Sequence, residues 1–153
     1  MSSITGFRKR AAAALGATAL IVAGGVATAG QAAAGPNCPS GYHCVFSASI
    51  ANNNKHAYFN SDTDFTNDYF DVYGNVVNDD VHAASNSSNS GYESHYYRDI
   101  NYGGGLLFCV NPGSSVDSWQ LPDDGVDGNG DSGSKAGEAS SLRVRSTTTI
   151  PCF

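Results

Sequence analysis

The stretch Tyr96-Tyr97-Arg98-Asp99-Ile100-Asn101-Tyr102-Gly103-Gly104-Gly105 leaves this chain few ways to fold. An aromatic is followed after four residues by a second aromatic, with a glycine one residue further on. Strand-like Ser94-His95-Tyr96-Tyr97 precedes it and the apolar run Leu106-Leu107-Phe108-Cys109-Val110 follows. Two strand runs joined by a Gly- and Asn-containing connector predict a β-hairpin with a longer, folded loop. Gly104 can take a positive φ that folds the hairpin back over the sheet, with Tyr97 and Tyr102 packed beneath the fold.

The rest of the chain after residue 34 has the same character. No helical periodicity is visible. Apolar residues come in short or alternating runs, and Gly, Asn, Asp and Ser interrupt them often enough to predict an all-β domain. An approximate repeat supports two motifs. Val45-Phe46-Ser47-Ala48 aligns with Tyr96-Tyr97-Arg98-Asp99, Ala57-Tyr58-Phe59 with Leu106-Leu107-Phe108, and Val81-His82-Ala83 with Ala139-Ser140-Ser141. The first motif has Ala51-Asn52-Asn53 where a second aromatic and glycine belong, so its loop must fold differently. Each four-strand unit is expected to form a sheet that buries one face against the other. Trp119 and the tyrosines are read as core and hairpin packing.

Residues 1–34 read as a signal peptide. Arg8-Lys9-Arg10 supply a positive start, Ala11 to Ala29 an apolar stretch, and Ala32-Ala33-Ala34 the small residues of a cleavage site. Export and an extracellular location follow, with no membrane attachment after cleavage. The remaining chain, about 119 residues, suits one domain, and a monomer is expected. All 14 acidic residues lie after Ala34, whereas three of the eight Lys and Arg precede it, so the processed chain carries 5 − 14 = −9. Lys55, Arg98, Lys135, Arg143 and Arg145 are scattered and form no basic stripe, which excludes nucleic acid as a partner. Cys38, Cys44, Cys109 and Cys152 are an even set in an exported chain. Three disulfide pairings are open to them. Their dispersion argues against a zinc site.

The aromatic-x4-aromatic-x-Gly pattern, here Tyr97, Tyr102 and Gly104, resembles the folded-hairpin signature of the βγ-crystallin Greek key. Combined with the leader and the opening Cys38-Pro39-Ser40-Gly41-Tyr42-His43-Cys44, the chain resembles a secreted actinobacterial peptidase-inhibitor family of that fold, of the metalloproteinase-inhibitor type. The resemblance covers about Cys38 to Val144. It implies an all-β, disulfide-stabilised sandwich of two Greek-key motifs over 35–153, with motif one at about 42–88, motif two at about 94–145 and a tail at 146–153. It favours Cys38–Cys44, a short loop that Pro39 and Gly41 let close, and so leaves Cys109–Cys152. It also implies inhibition of an extracellular protease through a rigid surface loop. Cys109-Val110-Asn111-Pro112 resembles the family's reactive step, although no second cysteine follows closely to hold it. No catalytic residue and no obligatory cofactor is expected. The same scaffold also suits a calcium-binding or structural extracellular module, or a small toxin-like protein, because fold does not fix function.

Two stretches are candidate Ca²⁺ ligands. Asn78-Asp79-Asp80 supplies the acidic half of a crystallin-type site, but His82-Ala83 replaces its hydroxyl pair. Ser140-Ser141 supplies hydroxyls without the acidic pair. Asp127, Asn129, Asp131 and Glu138 have the spacing of a twelve-residue calcium loop, with Ser132 where that loop turns on glycine. Gly130-Asp131-Ser132-Gly133, preceded by His82 and Asp99, looks like a serine-protease nucleophile loop. That mechanism needs a cleft between two barrels, which this length cannot build.

Overall fold

The computed structural model describes residues 34–89, 91–122 and 134–153. The leader, apart from Ala34, therefore lies outside the described residues, and so do Asp127, Asn129, Asp131 and Ser132. The described chain contains seven β-strands, three 3₁₀ turns and no α-helix. The strands are β1 His43–Phe46, β2 Lys55–Tyr58, β3 Ala83–Asn86, β4 Tyr92–Tyr97, β5 Leu106–Val110, β6 Ser115–Val116 and β7 Ser141–Ser146.

All pairings are antiparallel, in the orders β2-β1-β3-β6 and β5-β4-β7. The predicted repeat is visible in the registers. Phe46 lies opposite Ala83, as Tyr97 lies opposite Ser141. The expectation that each motif keeps its own sheet needs correction. β6 comes from the second half of the chain yet pairs with β3 of the first, while Asp62 of the first half bridges Leu142 on β7. The exchange covers one edge of each sheet with main chain from the other motif, which limits the exposed edges. Two Greek keys interlocked in this way, with the folded hairpin described below, make an all-β sandwich of βγ-crystallin type.

Strand alternation sorts the side chains. In β1, Val45 faces the space between the sheets, where it joins Phe65, Phe70, Tyr96, Phe108, Val110 and Leu142 in the main core. Cys44 and Phe46 face the opposite way and form a second cluster with Cys38 and Ala83. The aromatic mass anticipated from the sequence fills the main core, with Tyr96 stacked on Phe108 at 4.7 Å and Tyr58 on Phe65 at 5.0 Å. Burial pushes the hydroxyls of both tyrosines far above their ordinary value, and Asp68, which accepts from Tyr58 at 2.8 Å, adds to that rise. Cys38 is bonded to Cys44 and Cys109 to Cys152.

The folded hairpin between β4 and β5 has the expected form. Gly104 sits at φ +66, and a Cβ there would come within 2.7 Å of Asp99 Cγ and 2.8 Å of Arg98 Cβ. The rings of Tyr97 and Tyr102 meet at 5.7 Å, and the Arg143 guanidinium lies 5.6 Å from the Tyr102 ring centre. In motif one the Tyr102 position has no aromatic. Instead Ile50, from the loop 47–54, packs against the Phe46 cluster. Trp119 is not in the core: it is 81 % exposed. It sits in the 3₁₀ turn Ser118–Gln120, where the Asp117–Gln120 capping box holds the backbone without any need for the indole.

Candidate functional site

The segment Cys109-Val110-Asn111-Pro112 is not a surface loop. Cys109 and Val110 end β5, and Val110 is wholly buried in the main core. Asn111 is tied to the C-terminus, accepting no solvent role there: its N–H donates to Phe153 O at 2.8 Å and its side-chain amide to Cys152 O at 3.0 Å. An apolar run beside a Pro-Gly turn has here become a core strand, because burying Val110 and Phe108 outweighs displaying them. This corrects the expected inhibitory loop.

A different segment has the rigidity and exposure such a loop needs. Between Tyr69 and Val76, which pair as an isolated bridge, the chain makes a tight turn. Its anchor is Phe70, buried in the core. Its tip carries Val72 and Tyr73, 57 % and 74 % exposed. The turn is held from beneath by Asn54, itself only 1 % exposed. Asn54 Oδ1 accepts from the N–H groups of both Val72 and Tyr73 at 3.1 Å, while its amide donates to Ser47 Oγ at 2.7 Å and Asn75 Oδ1 at 3.2 Å. Asp71 N–H donates to Lys55 O at 2.9 Å and Gly74 N–H to Phe70 O at 3.1 Å, so the tip donors are all engaged inside the protein. The sequence reading passed over this turn. Its signal was Tyr73-Gly74-Asn75 between two short apolar runs, a turn signature with no indication of which side chains face outward.

The two partial calcium motifs, far apart in sequence, meet at one end of the sandwich. Ser140 Oγ donates to Asp79 Oδ1 at 3.2 Å, Asp79 N–H to Ala139 O at 3.2 Å and Gly137 N–H to Val81 O at 2.8 Å. The acidic half of one motif thus faces the hydroxyl half of the other. Beside them Asn78 Oδ1 is buried without a protein partner. Asp80 is engaged by His82 at 3.3 Å and by the Asn75 amide. Partial burial raises its carboxyl above the ordinary value, against the opposing pull of His82 and Asn75. Glu138 is buried and its carboxylate meets Arg98 at 2.8 Å, an ion pair that already engages a residue the sequence offered to calcium. His82 and Asp99, the other two members of the protease-like set, are separately engaged: Asp99 in the folded hairpin, where its carbonyl accepts from Ser141, and His82 with Asp80.

Two histidines are buried. His95 pairs with Glu93 at 2.7 Å, and Thr148 caps the same carboxylate through N–H and Oγ1. Burial alone would raise the Glu93 carboxyl, but these hydrogen bonds hold it below its ordinary value. His95 lies near Cys109 and Cys152, whose sulfurs are committed to the disulfide and so are not metal ligands in this state. His43 bridges the sheets through Ser94 Oγ at 2.6 Å, and burial lowers its pKa from 6.5 to about 4.

That shift predicts a pH dependence. Between pH 6.5 and about 4 the unfolded chain binds a proton at His43 that the folded protein refuses, so stability falls with acidification through this window. The loss amounts to about 3 kcal/mol at full strength. The lowered Glu93 value acts in the same direction but further down, as pH drops through its folded pKa. Urea unfolding of wild type and His43→Gln between pH 7 and pH 4 measures the effect. The variant should show a flattened slope in that window, and an unchanged slope would remove His43 as its source.

No protein-family model and no curated protein matches the chain. Among solved structures it is similar to a chain from one described as "Evolution of the eye lens beta-gamma-crystallin domain fold", with 15% sequence identity and a TM-score of 0.48 over 72% of this chain and 92% of that chain. The fold class rests on the strand order and the folded hairpin described above.

Proposed function

We propose that this is a secreted, non-catalytic binding protein that inhibits an extracellular peptidase, metalloproteases being the first class to test, by seating the Val72–Tyr73 turn in an apolar specificity pocket. The observation that carries the reading is the buried Asn54 amide beneath two exposed apolar side chains. A loop already fixed in one shape loses little conformational entropy on docking, so its contact energy is retained as affinity. The tip is a turn and not an extended strand. It therefore acts by occluding the enzyme, and its internally engaged N–H groups resist the extended conformation that cleavage demands. Secretion is supported by the leader-like composition of residues 1–34 and by two disulfides, which persist in oxidising compartments.

A second reading has its own observation. Asp79 and Ser140 meet across two loops beside the unpartnered Asn78 Oδ1, and together they offer a hard cation part of an oxygen shell. One experiment addresses both. Thermolysin-type and subtilisin-type proteases are titrated with the processed protein, with Ca²⁺ and with chelator, alongside Val72→Ser and Tyr73→Ser. Stoichiometric loss of activity is expected, weakened by about 2 kcal/mol, or thirtyfold, in the Tyr73 variant. Full protease activity at every ratio would overturn the inhibitor reading. A melting temperature raised by Ca²⁺ and lowered in Asp79→Ala would then leave the calcium module standing.

A further inference from the structure

At the end of the sandwich away from the Asp79–Ser140 contact, the two sheets part to leave a cleft of about 610 Å³. His43 and Gly41 from the start of β1, Phe59, Asn60 and Ser61 after β2, Ser88 and Asn89 before β4, Tyr92 at its start and Val144 of β7 line it. In a chain with 14 acidic side chains, none of the described lining residues is Asp, Glu, Lys or Arg. Its one titratable base, His43, is neutral above pH about 4 because it is buried. A charged ligand would leave water with no counter-charge to receive it, at substantial cost.

What the cleft offers is aromatic surface and neutral hydrogen-bonding groups. Phe59 is 64 % exposed and Tyr92 43 %. Asn60 and the Tyr92 hydroxyl have no hydrogen-bond partner among the described residues, and Asn89 commits its amide nitrogen to Ser40 Oγ, leaving its carbonyl oxygen. The main chain around the cleft is already engaged. Gly41 N–H donates to Ser87 O, Val144 N–H to Ser61 Oγ, and Tyr92 O accepts from both Asn86 and Ser88 side chains. An extended peptide, which recognises its site through backbone bonds, finds few there. A ligand with an apolar ring face and many neutral hydroxyls finds what it needs: rings to lie against and amide and phenol groups that both donate and accept.

We infer that this cleft binds a neutral saccharide, with Phe59 and Tyr92 as the stacking surfaces and Asn60 and Asn89 as the polar contacts. The site is separate from the Val72–Tyr73 turn, and its success or failure is independent of protease inhibition. Isothermal titration with the β-1,4-linked hexamers of glucose and of N-acetylglucosamine tests it, with hexagalacturonate as the charged comparison. At least one neutral hexamer should bind with a Kd on the order of 0.1–1 mM. Phe59→Ala and Tyr92→Ala should each weaken it about tenfold, whereas Trp119→Ala, an exposed aromatic elsewhere, should not. Both cleft side chains are largely exposed, so the variants should keep the wild-type melting temperature, which is measured alongside. The inference is overturned if neither neutral hexamer binds at ~10 mM, if binding survives both substitutions, or if hexagalacturonate binds equally well.

Discussion

Replacing Cys109 and Cys152 together by alanine lowers the unfolding free energy by about 4 kcal/mol, whereas the same change at Cys38 and Cys44 costs about 2. The difference comes from the denatured chain. The first bond closes a loop with a sequence separation of 43, the second one of 6, and the entropy removed from the unfolded ensemble grows with the logarithm of that length. A domain of this size has about 5–15 kcal/mol in total, so the longer bond is a large share of it. The native contacts reinforce the ordering. Cys152 brings the C-terminal segment onto β5, where Phe153 N–H donates to Cys109 O at 3.0 Å and Asn111 N–H donates to Phe153 O. Denaturant titrations of the two double variants against wild type check the ranking. If the Cys38–Cys44 pair proves the costlier loss, the chain-entropy account of this fold is wrong.

Asn54→Ala has the second largest expected effect, a loss of about 3 kcal/mol together with most of the affinity of the Val72–Tyr73 turn for its partner. Four hydrogen bonds disappear with one side chain. Those to Ser47 and Asn75 are sheltered, while the freed N–H groups of Val72 and Tyr73 can reach water, which keeps the cost below the sum of four buried losses. Asn54→Asp separates the two roles. The carboxylate retains an acceptor for the Val72 and Tyr73 N–H groups but loses the amide donors. It should therefore be destabilised yet bind better than the alanine variant. Equal binding by all three proteins, measured by protease titration at a temperature where each is folded, would remove pre-organisation from the explanation.

The fold was legible in the sequence wherever a local rule had one solution. Gly104 needed a left-handed backbone beneath two tyrosines, and no other short connector between those strand runs offers it. The Phe46–Tyr97 correspondence was legible because a repeat must place equivalent residues in equivalent registers. Trp119 and Val110 went the other way. The indole had the composition of a core residue, but the capping of its turn left it outside. Val110 had the neighbours of a surface turn, yet the space between the sheets took it in. Whether an apolar residue is covered depends on what another part of the chain places over it.

The same division holds for the sites. Alternating patterns, turn residues and paired cysteines act over a few residues, so the sequence by itself determined the all-β character, the folded hairpin and the two-motif organisation. The strand exchange at β6 and Asp62, the meeting of Asp79 with Ser140, the neutral cleft around Tyr92 and the Asn54 support beneath Val72 and Tyr73 are tertiary outcomes. They join residues 18 to 61 positions apart or more, and only the competition among whole packings for buried area and satisfied hydrogen bonds selects such partners.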